Sequence, residues 1–213
     1  MPDGQALDFD HDMMKRCIAI AVQSARDGEY PYGVVICRNG RVIAESTNRV
    51  ARERDITRHA EVVAISLAQK VLGTVSLDDC MMYVSAEPCV YCSYAIRESR
   101  IRRVVYALHS PYMGGMSRWN VLNDEGLSNK MPEVFDPPPE VVAGFMAEEV
   151  EQTLLRWNPL VWGIIRKRRL FVANLSESTP YNALSTHRRQ KTTRQWLMTM
   201  LRPLVFDRFG RWI

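Results

Sequence analysis

Two short patterns, His59-Ala60-Glu61 and Pro88-Cys89-Val90-Tyr91-Cys92, constrain the fold more than anything else in this chain, because their side chains suit one metal ion and must then converge. Zinc prefers thiolate and imidazole ligands in a tetrahedron; a structural site closes all four positions, whereas a catalytic site leaves one for water. His59, Cys89 and Cys92 supply three ligands. Cys17, Cys37, Cys80, His11, His109 and His187 each stand alone in the sequence, so the fourth position is expected to be open. At a helix start, the spacing of Cys89 and Cys92 puts both sulfurs on one face, and the positive end of the helix favours their thiolates. His59 and Glu61 lie two apart, so no single helix side carries both. A shared pocket must then lie off the N-terminal end of their helix.

The rest of the pattern supplies the frame. Met13, Met14, Cys17, Ile18, Ala21, Val22 and Ala25 recur at helical spacing, which predicts a helix over 12–27 stopped by Asp27-Gly28. Gly33 to Arg38 and Arg41 to Ser46 are β-rich runs joined by Asn39-Gly40, a hairpin signal. A second helix is expected over Ala60 to Leu72, ending at Gly73, and a third over Cys89 to Ser99, with Pro88 just before it. Met81 to Ser85 and Arg103 to Leu108 read as the strands on either side of that third helix. A strand–helix–strand crossover demands a parallel pair, so the order α, β, β, α, β, α, β predicts a layered α/β domain with a mixed sheet. Beyond Gly114-Gly115 come loops that include Asp136-Pro137-Pro138-Pro139. A helix is then expected around Phe145 to Trp157, ended by Asn158-Pro159.

The 213 residues suit one domain, read here as 1–173, with 174–213 as a basic, partly mobile tail. Hydrophobic residues at 46% and charged residues at 24% are ordinary globular values. The N-terminus lacks a basic cluster ahead of an apolar stretch, and no apolar run approaches a membrane span, so no membrane partner is expected. Five cysteines with one Cys-x-x-Cys pair suit a reducing compartment and a metal, which makes the cytoplasm the expected location. The net charge of +4 is uneven: from Asn174 onward seven basic residues face two acidic ones. Such a tail either touches nucleic acid or is simply solvated.

His-x-Glu followed by Pro-Cys-x-x-Cys is the signature of zinc deaminases, and by average residue frequencies it arises by chance in roughly one chain of this length in 10⁴. The sequence resembles the cytidine-deaminase-like superfamily over about residues 10 to 170, in the branch of bacterial guanine deaminases and tRNA adenosine deaminases. Besides the metal residues, the likeness rests on Pro31-Tyr32-Gly33-Val34-Val35-Ile36, Asn48, Leu77-Asp78-Asp79-Cys80 and Ser85-Ala86-Glu87-Pro88-Cys89. It implies a three-layer α/β/α cytidine-deaminase-like fold, one zinc per chain and a homodimer. It also implies substrate contacts from Asn48 and from main-chain groups near Ala60 and Ser85 or Glu87. Zinc would acidify a water molecule, Glu61 would move its proton, and an aminated ring would lose ammonia. The expected substrate is a purine-like base or nucleoside, or a related small aminated heterocycle. Guanine deaminases usually have Pro-Phe-Gly at Pro31-Tyr32-Gly33 and often carry a C-terminal aspartate that has no secure equivalent here. The stretch Phe145 to Arg169 and Asn120-Val121-Leu122 look more like tRNA adenosine deaminases, which makes tRNA the alternative substrate. A non-catalytic zinc protein is the third reading, although a structural site has no use for Glu61. Trp119 either stacks on a base or closes the core.

Overall fold

The computed structural model describes residues 3–175, with side chains from residue 7 onward. The tail expected after residue 173 therefore lies outside the described residues from 176 on. The chain runs α1 (Asp3–Arg26), β1 (Gly33–Arg38), β2 (Arg41–Thr47), a short α2 (Val50–Glu53), α3 (Ala60–Leu72), β3 (Cys80–Ala86), α4 (Val90–Glu98) and β4 (Arg103–Leu108). It continues through α5 (Glu125–Lys130), β5 (Glu140–Ala143), α6 (Ala147–Trp157) and α7 (Pro159–Lys167).

The sheet order is β2-β1-β3-β4-β5. β1 pairs antiparallel with both β2 and β3, while β3, β4 and β5 run parallel, so the sheet is mixed as expected. The turn between β1 and β2 places Asn39 and Gly40 at φ 51° and 72°, the two positive values that a type I′ hairpin requires. Helices cover both faces. Val34, Ile36, Met82, Val84, Val104 and Tyr106 bury one side under Ala64 and Ala68 of α3 and Ile96 of α4. Their neighbours Val35, Cys37, Tyr83 and Val105 point the other way, onto Met14 and Cys17 of α1, Val150 and Leu154 of α6 and Trp162 of α7. Burial on both faces explains why β1, β3 and β4 read as unbroken apolar runs. No helix among the described residues is long and apolar enough to cross a membrane.

Several features differ from the sequence expectation, among them the short helix α5 in a stretch expected to be loop. α1 begins at Asp3 instead of near residue 12. β5 forms a four-residue edge strand where only loop was expected. Asn158 does end α6, but its side chain also accepts from Val161 N at 3.1 Å, so the same Asn-Pro pair starts α7 with proline in the first turn.

The added turns of α1 are anchored by charge. Asp10, 4% exposed, accepts from the Tyr83 hydroxyl at 2.6 Å and from both Arg103 Nη atoms at 2.7 and 2.8 Å. Burial alone would push the Asp10 carboxyl up, but Arg103 and Tyr83 outweigh it and hold it below its ordinary value. A depressed folded pKa means that the stabilisation is complete above about pH 4 and is lost as pH falls through the folded value. Asp10→Ala leaves the Tyr83 hydroxyl and the Arg103 guanidinium short of their shared partner. It is expected to cost about 3 kcal/mol in urea unfolding at pH 7, with a smaller difference from wild type near pH 2. An equal difference at both pH values would remove Asp10 from this role.

Candidate active site

The converging patterns meet at one end of the sheet, where β3 and β4 finish and β1 begins. His59 is the N-cap residue of α3, Glu61 lies in its first turn, and Cys89 is the N-cap residue of α4 with Cys92 inside that helix. Two helix starts therefore face one another across the end of β3. His59 Nδ1 lies 3.6 Å from Cys89 Sγ and 3.3 Å from Cys92 Sγ, and the two sulfurs are 3.6 Å apart. Ligands on a zinc tetrahedron with ordinary bond lengths stand about 3.8 Å apart for two sulfurs and about 3.5 Å for sulfur and nitrogen. The three donors thus have the spacing of one face of such a tetrahedron, and this is the group among the described residues that could hold a metal ion. The other cysteines, Cys17, Cys37 and Cys80, are buried in the two cores away from it.

Contacts within the group set its charge. The Cys92 side chain first, and then His59, hold the Cys89 thiol down at about 4, so Cys89 is a thiolate at neutral pH. Its partnership with Cys89 raises His59 above its ordinary value. Cys92 is pushed up, first by Cys89 and then by burial. Glu61 is 8% exposed and its side chain lies beside Cys92; burial, then the Cys89 charge, push its carboxyl up to about 7. A carboxyl poised there both takes and gives a proton near neutral pH.

Residues 7–108 match the cytidine and deoxycytidylate deaminase zinc-binding region. A tRNA-specific adenosine deaminase of Aquifex aeolicus is 35% identical over 125 residues, which cover 58% of this chain and 83% of that protein. The chain belongs to the cytidine and deoxycytidylate deaminase family. A guanine deaminase of Bacillus subtilis is 45% identical over 95 residues, 44% of this chain and 61% of that one. Among solved structures, one from studies of A-to-I editing by tRNA:A34 deaminases superposes with a TM-score of 0.60 at 30% identity, covering 67% of this chain and 99% of that one. The protein is a zinc-dependent hydrolytic deaminase with the cytidine-deaminase fold.

Around the metal group, the deaminase places its other sequence-predicted residues unequally. Asn48, 4% exposed, follows β2 at the same sheet end; its main-chain N–H donates to Tyr32 O, and its side-chain Nδ2 donates to Glu29 Oε2 at 3.0 Å. Ala60 is the first residue of α3, in the turn whose N–H groups lack helical acceptors. Ser85 is buried, and its hydroxyl accepts from Gly33 N at 3.1 Å. Trp119 is 53% exposed with the Arg118 guanidinium 4.7 Å from its ring centroid, so the reading that it closes the core is wrong.

Besides Asp10, three buried charged side chains escaped the sequence reading. Glu87 accepts from the main chain of Ser110 (2.7 Å), Met116 (2.9 Å) and Ser117 (2.6 Å) and from the Ser117 hydroxyl, pinning the loop that follows β4. Gly114 belongs to that loop, and a Cβ there would collide with the Glu87 carboxylate that the loop's own N–H groups hold in place. Arg97 donates to the main-chain oxygens of Val121, Asp124 and Asp136 and to the Ser128 hydroxyl, fixing the segment beyond. Glu29 is the third. Only the Glu87 position carried any signal, from its place in Ser85-Ala86-Glu87-Pro88-Cys89.

Proposed function

We propose that this deaminase hydrolyses the exocyclic amine of a purine-like heterocycle, supplied as free base or nucleoside, with His59, Cys89 and Cys92 holding the zinc and Glu61 moving the protons. The observation that carries the reading is the buried Glu61 carboxyl in contact with Cys92, beside three donors with tetrahedral spacing. Zinc in that site supplies a Lewis acid that acidifies water. Glu61 takes the proton of the attacking water and delivers it to the departing amine; water is consumed, the ring carbon gains oxygen and ammonia leaves. Asn48 and the main-chain groups of Ala60 and Ser85 orient the ring. Tyr32, just before β1 at the same sheet end, packs on Phe171 with ring centroids 5.8 Å apart.

A neutral ring suits the surrounding charges. Arg49 and Arg58, next in sequence to Asn48 and His59, pair with Glu53 and with Glu53 and Asp55 respectively, and Arg52 pairs with Asp27. Each of these three already has an acidic partner. The second reading, adenosine within tRNA, draws on the 35% identity that spans 83% of a tRNA-specific relative, and on Trp119 exposed under Arg118 as a stacking surface. Ammonia release from guanine, guanosine, adenine, adenosine, cytosine, cytidine and a tRNA anticodon stem-loop decides between them. Turnover of a free purine base or nucleoside supports the first reading; activity on the stem-loop alone replaces it with the second.

Trp119→Ala is expected to leave the unfolding free energy within about 0.5 kcal/mol of wild type and to raise KM about 5- to 100-fold through lost stacking. An unchanged KM removes Trp119 from the substrate contacts. We also read the protein as a homodimer, because Val90, Tyr91 and Tyr94 form an exposed apolar face on α4 beside the metal group, with Tyr91 edge-on to His59 at 5.8 Å. Light scattering should give twice the chain mass of 24.5 kDa; the monomer mass would overturn it. Five free cysteines suit a reducing compartment such as the cytoplasm.

A further inference from the structure

Glu29 lies just after α1, in the turn made by Asp27-Gly28, and is 1% exposed. A carboxylate so deeply buried normally has a cation beside it. Here, among the described residues, its partners are neutral donors instead: Asn48 Nδ2 at 3.0 Å, Ala51 N at 3.2 Å and Arg52 N at 2.6 Å. The last two belong to the first turn of α2, whose N–H groups have no helical acceptor. Glu29 thus ties the segment between Asn48 and His59 to the end of α1, and it does so through the one side chain in that set that is also read as a substrate contact.

The chemistry of this contact fixes a detail that an amide alone leaves open. Asn can turn either its donor or its acceptor toward a ligand, and the two orientations fill the same space. An ionised carboxylate only accepts, so the NH₂ of Asn48 must face Glu29 and Oδ1 must turn away from it. We infer that Glu29 is a positioning residue: by taking one of the two Nδ2 hydrogens it stops the Asn48 amide from flipping, so that Oδ1, on the side away from Glu29, is the acceptor offered to substrate. The site then selects a heterocycle that presents an N–H or O–H to Asn48 and discriminates against one that presents a bare ring nitrogen there. A buried partner left unmatched is the costly case, so the lock acts on specificity as well as on affinity. This inference rests on the reading of Asn48 as a substrate contact.

Swapping the two functional groups tests it. Asn48→Asp alone sets two carboxylates against each other, and kcat/KM on the panel member turned over fastest should fall about 100-fold, in line with loss of a buried hydrogen bond to a charged group. Glu29→Gln alone frees the amide to flip, and should raise KM about 10-fold with kcat changed far less. Combining the two substitutions restores one carboxylate and one amide. The new glutamine donates to the new aspartate, whose other oxygen again faces the substrate as an acceptor, so kcat/KM should recover to within about 10-fold of wild type. A double variant as poor as the product of the singles, with Glu29→Gln lowering only the melting temperature, would show that Glu29 merely anchors α2. Asn48→Ala separates the two levels of the argument. An unchanged KM in that variant overturns the substrate role of Asn48 and the lock with it; a raised KM without rescue in the double variant overturns the lock alone.

Discussion

Replacing Glu61 with glutamine should lower kcat by about 10²- to 10⁴-fold, the usual contribution of a positioned acid–base group, with little change in KM. Glutamine has the same shape and can keep a hydrogen bond, so the site should hold its geometry while losing the ability to take up and release a proton. The structure favours so clean a separation. Glu61 sits in the first turn of α3 beside the donor group without being one of its three close-set ligand atoms, so zinc content should stay at one per chain. It is 8% exposed, and its immediate surroundings are Cys92, Cys89, His59 and its own main-chain N–H, none of which offers a second carboxyl as a substitute. Metal analysis and ammonia-release kinetics on the same preparation check both halves. Wild-type turnover in the variant would remove Glu61 from the mechanism; loss of zinc would mean that its carboxylate helps to hold the metal.

What could be read from the sequence were features whose physics is local. The Asn39-Gly40 turn, the doubly buried strands and the two helix starts each depend on a few neighbouring residues, and the metal group was legible because His59, Cys89 and Cys92 are individually unusual and sit at informative spacings. What was missed depends on partners far away in the chain. α1 extends back to Asp3 over residues with no clear apolar stripe because Asp10 meets Arg103, 93 residues on, and Phe9 packs edge-on against Tyr83. β5 is a short edge strand that exists because β4 offers it a parallel ladder from Arg103 to Tyr106. Glu87 and Arg97 serve mainly main-chain groups of distant loops, and a main-chain partner leaves no mark on composition. Asn158-Pro159 shows a different ambiguity: the same dipeptide stops one helix and caps the next, and only packing of Trp162 into the core decides that a second helix follows.

Withdrawing the metal is expected to be the largest perturbation, because it acts on fold and chemistry together. The three donors lie at the starts of α3 and α4, two helices that pack on one face of the sheet and on each other, so an ion bound there ties them at the point where they converge. A ligand that binds only the folded state stabilises it by an amount that grows with its concentration over Kd, about 4 kcal/mol at a thousandfold excess. For a domain of this size that corresponds to a melting temperature higher by roughly 10 °C. A strong chelator should therefore abolish activity and lower the melting temperature by about that amount, and added zinc should restore both. Cys92→Ala removes a fully buried donor from the set; it should bind zinc well below one per chain, lack turnover, and melt at the same temperature with or without chelator. Cys37→Ala supplies the control, because Cys37 is equally buried but sits on the opposite face of the sheet, in contact with Met13. That variant should lose some stability to the cavity and yet keep its zinc and its full response to chelator. If Cys92→Ala retained stoichiometric zinc, the ligand set proposed here would be wrong. If wild-type protein lost its zinc without any change in melting temperature, the ion would not bridge the two helices in the folded state.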